Sequence, residues 1–133
     1  MTTGIYWLWL ATRPRCSARF CGHLLERFGS PEAIWRAEQQ EFEDIPRLNK
    51  VKMDSLMEKD LTVAQHIEET CRKQDIQIVT LEDERYPQLL REIPDPPLVL
   101  YVRGTLPDFT DRVSVSIVGT RKCTRYGKQA AWH

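Results

Sequence analysis

The sequence lacks an excess of charge of either sign, because 19 Lys and Arg residues balance 19 Asp and Glu residues over 133 positions. Without an overall basic field, any site for a polyanion has to come from local clustering of cations. Long apolar runs are also absent: Ile5–Leu10 is about a third of the ~20 residues that a membrane-spanning helix needs. No basic segment precedes this run and no A-x-A site follows it, so a signal peptide is not predicted and a cytoplasmic protein is the default expectation.

Metal-binding and nucleotide-binding signatures are missing as well. The four cysteines form no C-x-x-C pair and, with the three histidines, match no zinc spacing, so they are expected to be buried or idle thiols. Gly119 is followed by Thr120-Arg121 and the next glycine is Gly127, which excludes the dinucleotide fingerprint G-x-G-x-x-G. Gly127-Lys128 precedes Gln129 rather than Ser or Thr, which excludes a Walker motif. No cofactor and no metal are therefore predicted.

What the first half does contain is the periodicity of short amphipathic helices. Apolar residues recur on one helical face from Phe20 to Phe28, and Gly29 follows where a left-handed C-cap is favoured. Ser30-Pro31 predicts the next helix start, because serine accepts hydrogen bonds from free N–H groups and proline tolerates the first helical position. Further apolar stripes predict helices around Phe42 and Ile45, around Val51, Leu56 and Met57, and along Val63, Ala64, Ile67 and Cys71.

The pattern changes near residue 74, where β-rich segments bounded by proline and glycine begin. Ile76–Val79, Leu98–Val102 and Val113–Ile117 are predicted to be strands, and prolines mark the connections between them. The sequence thus predicts a mixed α+β or α/β chain in which helices occupy residues 1–73 and strands appear only afterwards.

The segment that indicates binding chemistry is residues 113–133, which contain no Asp or Glu. Its predicted strand ends in a glycine turn and leads into a helix with Thr124 as N-cap. Free backbone N–H groups and a helix N-terminus favour anions at such a turn. The candidate nucleic-acid contacts combine this turn, four cations and an aromatic ring able to stack on a base: Gly119, Thr120, Arg121, Lys122, Thr124, Arg125, Tyr126, Gly127 and Lys128. The alternative is a solvated basic helix start without a ligand.

Two motifs of the sequence, at the spacing and in the chain order typical of that family, resemble the DprA/Smf (DNA-processing protein A) family. Ile117–Gly127 resembles the V-G-S/T-R-x-x-S/T-x-Y-G signature that opens the family's Rossmann-like domain. Tyr86–Leu90 followed by Ile93–Gly104 looks like its Y-P-x-x-L…P-P-x-x-L-Y-x-x-G segment. Leu25–Ala33 is similar to its N-terminal helical region.

The resemblance implies a helical domain of the helix-hairpin-helix or SAM-like type at residues 1–73, and the truncated beginning of a Rossmann-like DNA-binding domain at residues 74–133. It also implies a non-enzymatic protein that binds single-stranded DNA, protects incoming DNA and helps load the recombinase RecA in natural transformation. A homodimer of the longer protein is implied too, and no catalytic residue is. Arg121 matches the arginine of the family's glycine turn and is expected to contact phosphate; the alternative is an ion pair with Asp108 or Asp111.

Two features depart from the family pattern. Pro46-Arg47-Leu48-Asn49 stands where helix-hairpin-helix units carry a glycine for close approach to DNA, so this hairpin is expected to serve packing or protein interaction rather than tight DNA binding. The chain ends at His133, early in the helix after the glycine turn, and is interpreted as part of a longer protein. Two other functions stay open: a fragment of a Rossmann-like nucleotide phosphoribohydrolase, and a helical protein-interaction module.

Overall fold

The computed structural model describes residues 3–109, 115, 121, 122 and 125–132. The elements of this part, in chain order, are α1 (Thr3–Ala11), α2 (Ala18–Phe28), α3 (Pro31–Arg36), α4 (Gln39–Phe42), α5 (Lys50–Met57), α6 (Thr62–Lys73), β1 (Ile76–Thr80), α7 (Gln88–Arg91), β2 (Val99–Arg103) and α8 (Arg125–Trp132). Within the described residues, the prediction that helices precede residue 74 and strands follow it is confirmed.

Helix α1 lies at the centre of the fold because it is apolar around its circumference. All four residues of Trp7–Leu10 are buried, and the helix contacts α2, α3, α6 and both strands. A helix that is apolar on every side is stable only when it is surrounded by protein. The indole N–H groups find acceptors at the edge of the core: Trp7 donates to Glu82 Oε1 at 3.1 Å, and Trp9 donates to the Glu58 carbonyl at 2.8 Å.

Capping residues set the boundary between α2 and α3, as the sequence predicts. Gly29 ends α2 with a φ of 92°, which a side chain would strain, and its N–H donates to the Leu25 carbonyl at 2.8 Å. The Ser30 hydroxyl accepts a hydrogen bond from the Ala33 N–H at 3.1 Å, and Pro31 is the first residue of α3. Both predicted caps are confirmed.

Two valines that were assigned to apolar stripes are exposed instead. Val63 is 57% exposed because the buried side of α6 runs through Ala64 and Cys71, and the preceding position points about 100° away from Ala64. Val51 is 55% exposed for a similar reason, since it lies about 140° around α5 from the fully buried Leu56.

The two strands form an antiparallel ladder in which Ile78 is opposite Tyr101 and Thr80 is opposite Val99. The ladder contacts α1, and β1 also contacts α6, while Leu98 and Val99 join the core cluster built around α1. The observed architecture is thus a helical assembly with a small antiparallel sheet. The division of the chain into two domains between residues 73 and 74 stays a prediction.

The Rossmann-like part of the prediction requires parallel strands joined by a crossover. The described ladder is antiparallel, so it does not by itself provide that arrangement. The predicted third strand, Val113–Ile117, lies outside the described residues apart from Val115, which is 82% exposed. A Rossmann-like arrangement of residues 74–133 therefore stays a prediction.

Candidate nucleic-acid interface

The first family-like motif, around Tyr86, has a structural role. Tyr86 is 2% exposed, and its hydroxyl donates to the Pro97 carbonyl at 2.7 Å. Burial raises the pKa of this phenol, so the hydroxyl stays protonated and able to donate. The bond joins the start of the β1–β2 connection to its end, directly before β2. The tyrosine of this motif thus fixes a loop rather than presenting a reactive group.

Arg91, the last residue of α7, stabilises the same β1–β2 connection. Its guanidinium donates to the carbonyls of Leu81 at 3.1 Å and Asp83 at 2.9 Å, and lies 5.3 Å from the centroid of the Tyr86 ring. These two carbonyls and the Gln88 amide oxygen, which accepts from Nη1 at 3.0 Å, engage donors that an anion would otherwise use. Arg91 was not among the predicted site residues; the available signal was an arginine directly after the Y-P-x-x-L segment.

The second motif presents its side chains to solvent. Arg121 and Lys122 are exposed and lie in a bend, and Arg125, Tyr126 and Lys128 are exposed on α8. Tyr126 is 80% exposed, in contrast to Tyr86. Arg125 and Lys128 are three positions apart and share a helix face.

The remaining predicted contacts are placed as follows. Gly127 is half-buried within α8. Gly119, Thr120 and Thr124 lie outside the described residues, so the glycine turn and the Thr124 cap stay predictions, although α8 begins at the residue after Thr124.

The charge around α8 has one sign. The first turn of α8 carries no acidic residue, and residues 113–133 contain none at all. Within the described part of the chain, which includes Asp108, Arg121 forms no ion pair. Asp111, the other acid proposed as its partner, lies outside that part. An exposed arginine without a carboxylate partner is able to bind phosphate.

The Pro46–Asn49 hairpin is ordered without a glycine. Arg47 takes the positive φ of 65° that a glycine would adopt easily, and the Asn49 side chain caps α5 by accepting from the Lys52 N–H at 2.8 Å. The Lys52 ammonium donates to the Arg47 carbonyl at 3.0 Å and closes the turn. Ile45 is buried just before this turn, beyond the end of α4, rather than inside a helix.

Other kinds of site find no support in the described residues. Cys16, Cys21 and Cys71 are free thiols, and Cys123 lies outside the description. Burial raises the pKa of Cys21 to about 12, so this thiol is not a nucleophile at neutral pH. No cluster of three metal-ligating side chains occurs in this part of the chain, and none of its helices has the length and apolar character needed to cross a membrane.

Comparison with known proteins bears on both motifs. Residues 77–133 match the family described as DNA recombination-mediator protein A. The DNA processing protein DprA of Bacillus subtilis (strain 168) is 39% identical over 62 residues, which cover 47% of this chain and 21% of that protein. The protein Smf of Synechocystis sp. (strain ATCC 27184 / PCC 6803 / Kazusa) is 30% identical over 129 residues, covering 93% of this chain and 32% of that protein.

The chain belongs to the DprA/Smf family. It spans between about a fifth and a third of the length of these relatives. No solved structure gives a significant match. The family match over residues 77–133 includes both the buried Tyr86 and the exposed cations from Arg121 onward.

Proposed function

We propose that Arg121–Lys128 contributes a binding site for single-stranded DNA. The observation that carries the proposal is the combination of exposed Arg121, Arg125 and Lys128 with a Tyr126 ring that is 80% exposed, all in a segment without acids. Cations bind the phosphate backbone of any nucleic acid. An exposed aromatic ring adds a preference for a single strand, because only unpaired bases can stack on it.

In this proposal Gly119, Thr120 and Thr124 complete the site through the predicted turn between the predicted strand Val113–Ile117 and α8. Lys122 and Gly127 belong to the same segment. The phosphate would meet backbone N–H groups as well as cations, which strengthens an anion site beyond charge alone. Recognition is by backbone and stacking, so we expect little dependence on base sequence.

The relationship to DprA and Smf supports a wider role for the whole protein. We propose that it acts by binding rather than by catalysis, protects incoming single-stranded DNA in the cytoplasm during natural transformation, and helps load the recombinase RecA. A homodimer in which neighbouring sites engage one strand fits this role, since linked sites raise the effective affinity.

The test is Arg121→Ala in the 133-residue chain, with Arg72→Ala on α6 as a control that removes one exposed positive charge elsewhere. Binding of oligothymidine and of a mixed-sequence strand is titrated against salt. Arg121→Ala should weaken both equally and make the slope of log K against log salt shallower by roughly 0.7 for the lost contact. An unchanged affinity and slope, with an unfolding midpoint equal to that of the parent chain, would remove Arg121 from the site.

A further inference from the structure

Two acid-free segments that are distant in the sequence meet in the fold. Residues 12–25 and residues 45–53 contain no Asp or Glu. The Lys52 ammonium lies 4.5 Å from the centroid of the Phe20 ring, which joins the first turns of α2 and α5. The Arg13 guanidinium donates to the Ser55 carbonyl at 3.2 Å, which joins the loop before α2 to the same helix α5. The two segments therefore lie side by side.

Four cations of these segments form what we call the basic face: Arg15, Arg47, Lys50 and Lys52. The first three are exposed and Lys52 is half-buried. Within the described residues none of the four forms an ion pair with a carboxylate. Asp44, which precedes the hairpin in the sequence, pairs with Arg27 instead, at 2.8 Å. Neither α2 nor α5 carries an acid in its first turn. A cluster of like charges without partners produces a local positive potential in a chain of zero net charge.

Arg13 is close to this face but does not belong to it. Its guanidinium is directed at backbone carbonyls, donating to Trp9 at 2.9 Å and to Ser55 and Glu58 at 3.2 Å each. Burial raises the pKa of the neighbouring Cys16 thiol, and the charges of Lys52 and Arg13 partly oppose this rise. Arg13 therefore supports the backbone beside the basic face, whereas Arg15, Arg47 and Lys50 present exposed side chains to a ligand.

The backbone that carries these cations is fixed by local hydrogen bonds. Asn49 caps α5, and the Lys52 ammonium closes the hairpin on the Arg47 carbonyl at 3.0 Å. Leu48 packs against the core between them. Side chains on an anchored turn lose less backbone freedom on binding than those on a mobile loop.

We propose that the basic face binds the sugar–phosphate backbone of a nucleic acid, as a second contact separate from Arg121–Lys128. The identity of the ligand class rests on the proposed DNA-processing function, whereas the face itself does not depend on the other site. Phe20 beneath Lys52 is 4% exposed, so it offers no ring for a base to stack on. Binding here should therefore read phosphates only, in single or double strands and in any sequence.

A nucleic acid fits this surface better than an acidic protein segment does. Protein interfaces are centred on apolar or aromatic anchors, with charged residues depleted from the middle. The residues that define the basic face are cations, and the neighbouring Phe20 ring is covered by Lys52 and is only 4% exposed. The glycine-free hairpin alone favours a packing role; the structure adds the first turn of α2 beside the first turn of α5, which the hairpin sequence cannot show.

The test is the double variant Arg47→Gln/Lys50→Gln in the full 133-residue chain. Both side chains are exposed, so folding should be unaffected. The matched control is Arg72→Gln/Lys73→Gln on α6, which removes the same charge from exposed residues that face Glu69. Binding of fluorescent oligothymidine and of a mixed-sequence duplex is measured against salt, with unlabelled polyglutamate as a competitor.

The basic-face variant should bind both nucleic acids roughly 5- to 25-fold more weakly at about 0.1 M salt, with a slope for the single strand shallower by roughly 0.7 per lost contact. The control should bind like the parent chain. An equal loss in both variants, no loss in either, no nucleic-acid binding by the parent chain, or displacement by polyglutamate as strong as by oligothymidine would overturn the proposal. Arg121→Ala tests the other site independently, so the two can fail separately.

Discussion

Tyr86 in the first family motif and Tyr126 in the second lie in opposite environments. Tyr86 is 2% exposed and bonded to the Pro97 carbonyl, whereas Tyr126 is 80% exposed. Tyr86→Phe removes one hydrogen bond, which contributes about 0.5–1.5 kcal/mol to the free energy of unfolding. The loss should fall at the lower end, about 0.5–1 kcal/mol, because Pro97 is exposed and its carbonyl can turn to water.

Tyr86→Ala removes the buried ring as well, and with it the face on which the Arg91 guanidinium lies. Truncation of a buried aromatic side chain costs about 3–5 kcal/mol of unfolding free energy. Tyr126→Ala should change stability by less than about 0.5 kcal/mol, because its side chain is exposed. It should instead weaken single-stranded DNA binding by about 1–3 kcal/mol, or roughly 5- to 150-fold.

Stability is measured by urea unfolding monitored by tryptophan fluorescence, for which the buried Trp7 and Trp9 report on the core. Binding is measured on oligothymidine with the same four proteins: parent, Tyr86→Phe, Tyr86→Ala and Tyr126→Ala. A Tyr86→Phe variant with parental stability but weakened DNA binding would refute the assignment of this motif to the fold. A Tyr126→Ala variant that unfolds early would refute the exposed placement of α8.

Two further predictions concern the core. Ser30→Ala should lower the free energy of unfolding by about 1 kcal/mol in urea, because it removes the acceptor for the Ala33 N–H; a parental midpoint would show that the cap is not formed. Burial raises the pKa of Cys21 from 9.0 to about 12, so native protein keeps a proton that the unfolded chain loses. The resulting stability is fully present below pH 9 and should decline by up to about 1.4 kcal/mol per pH unit above it, a slope that Cys21→Ala should remove; identical slopes in both proteins would contradict the buried thiol.

The parts of the fold that could be predicted from the sequence are those determined by residues close to one another in the chain. Gly29 and Ser30 could be assigned as caps because a cap depends on residues within one helical turn. The change from helices to strands near residue 74 was predictable for the same reason, since hydrophobic period and β-branched content are local. The prediction that Val51 and Val63 belong to apolar stripes was wrong because each helical residue is rotated by about 100° from the one before it. A side chain one position away from a buried residue can therefore be exposed.

Tertiary relationships were not accessible in this way. The run Ile5–Leu10 is too short for a membrane span, yet it forms most of the helix that contacts α2, α3, α6 and both strands. The connection between the antiparallel strands β1 and β2 is held by hydrogen bonds from Tyr86 and Arg91 to backbone carbonyls. Such contacts leave no periodic pattern in the sequence.

The basic face shows the same limit for function. Arg15 and Arg47 are separated by 32 positions, and each alone resembles an ordinary surface arginine. The packing of Lys52 over Phe20 and the hydrogen bond from Arg13 to the Ser55 carbonyl bring their segments together. The cations after Gly119, in contrast, are close in sequence and could be recognised as a candidate site from their spacing.

Photocrosslinking of the chain to an oligothymidine that carries 5-iodouracil, followed by peptide mapping, tests the central claim most directly. A base stacked on the exposed Tyr126 ring places the activated uracil against that residue. We expect a cross-link at Tyr126 that falls in yield as salt rises and is reduced in Arg121→Ala. Cross-links confined to residues 3–109, with none at Tyr126, would contradict the placement of single-stranded DNA at Arg121–Lys128.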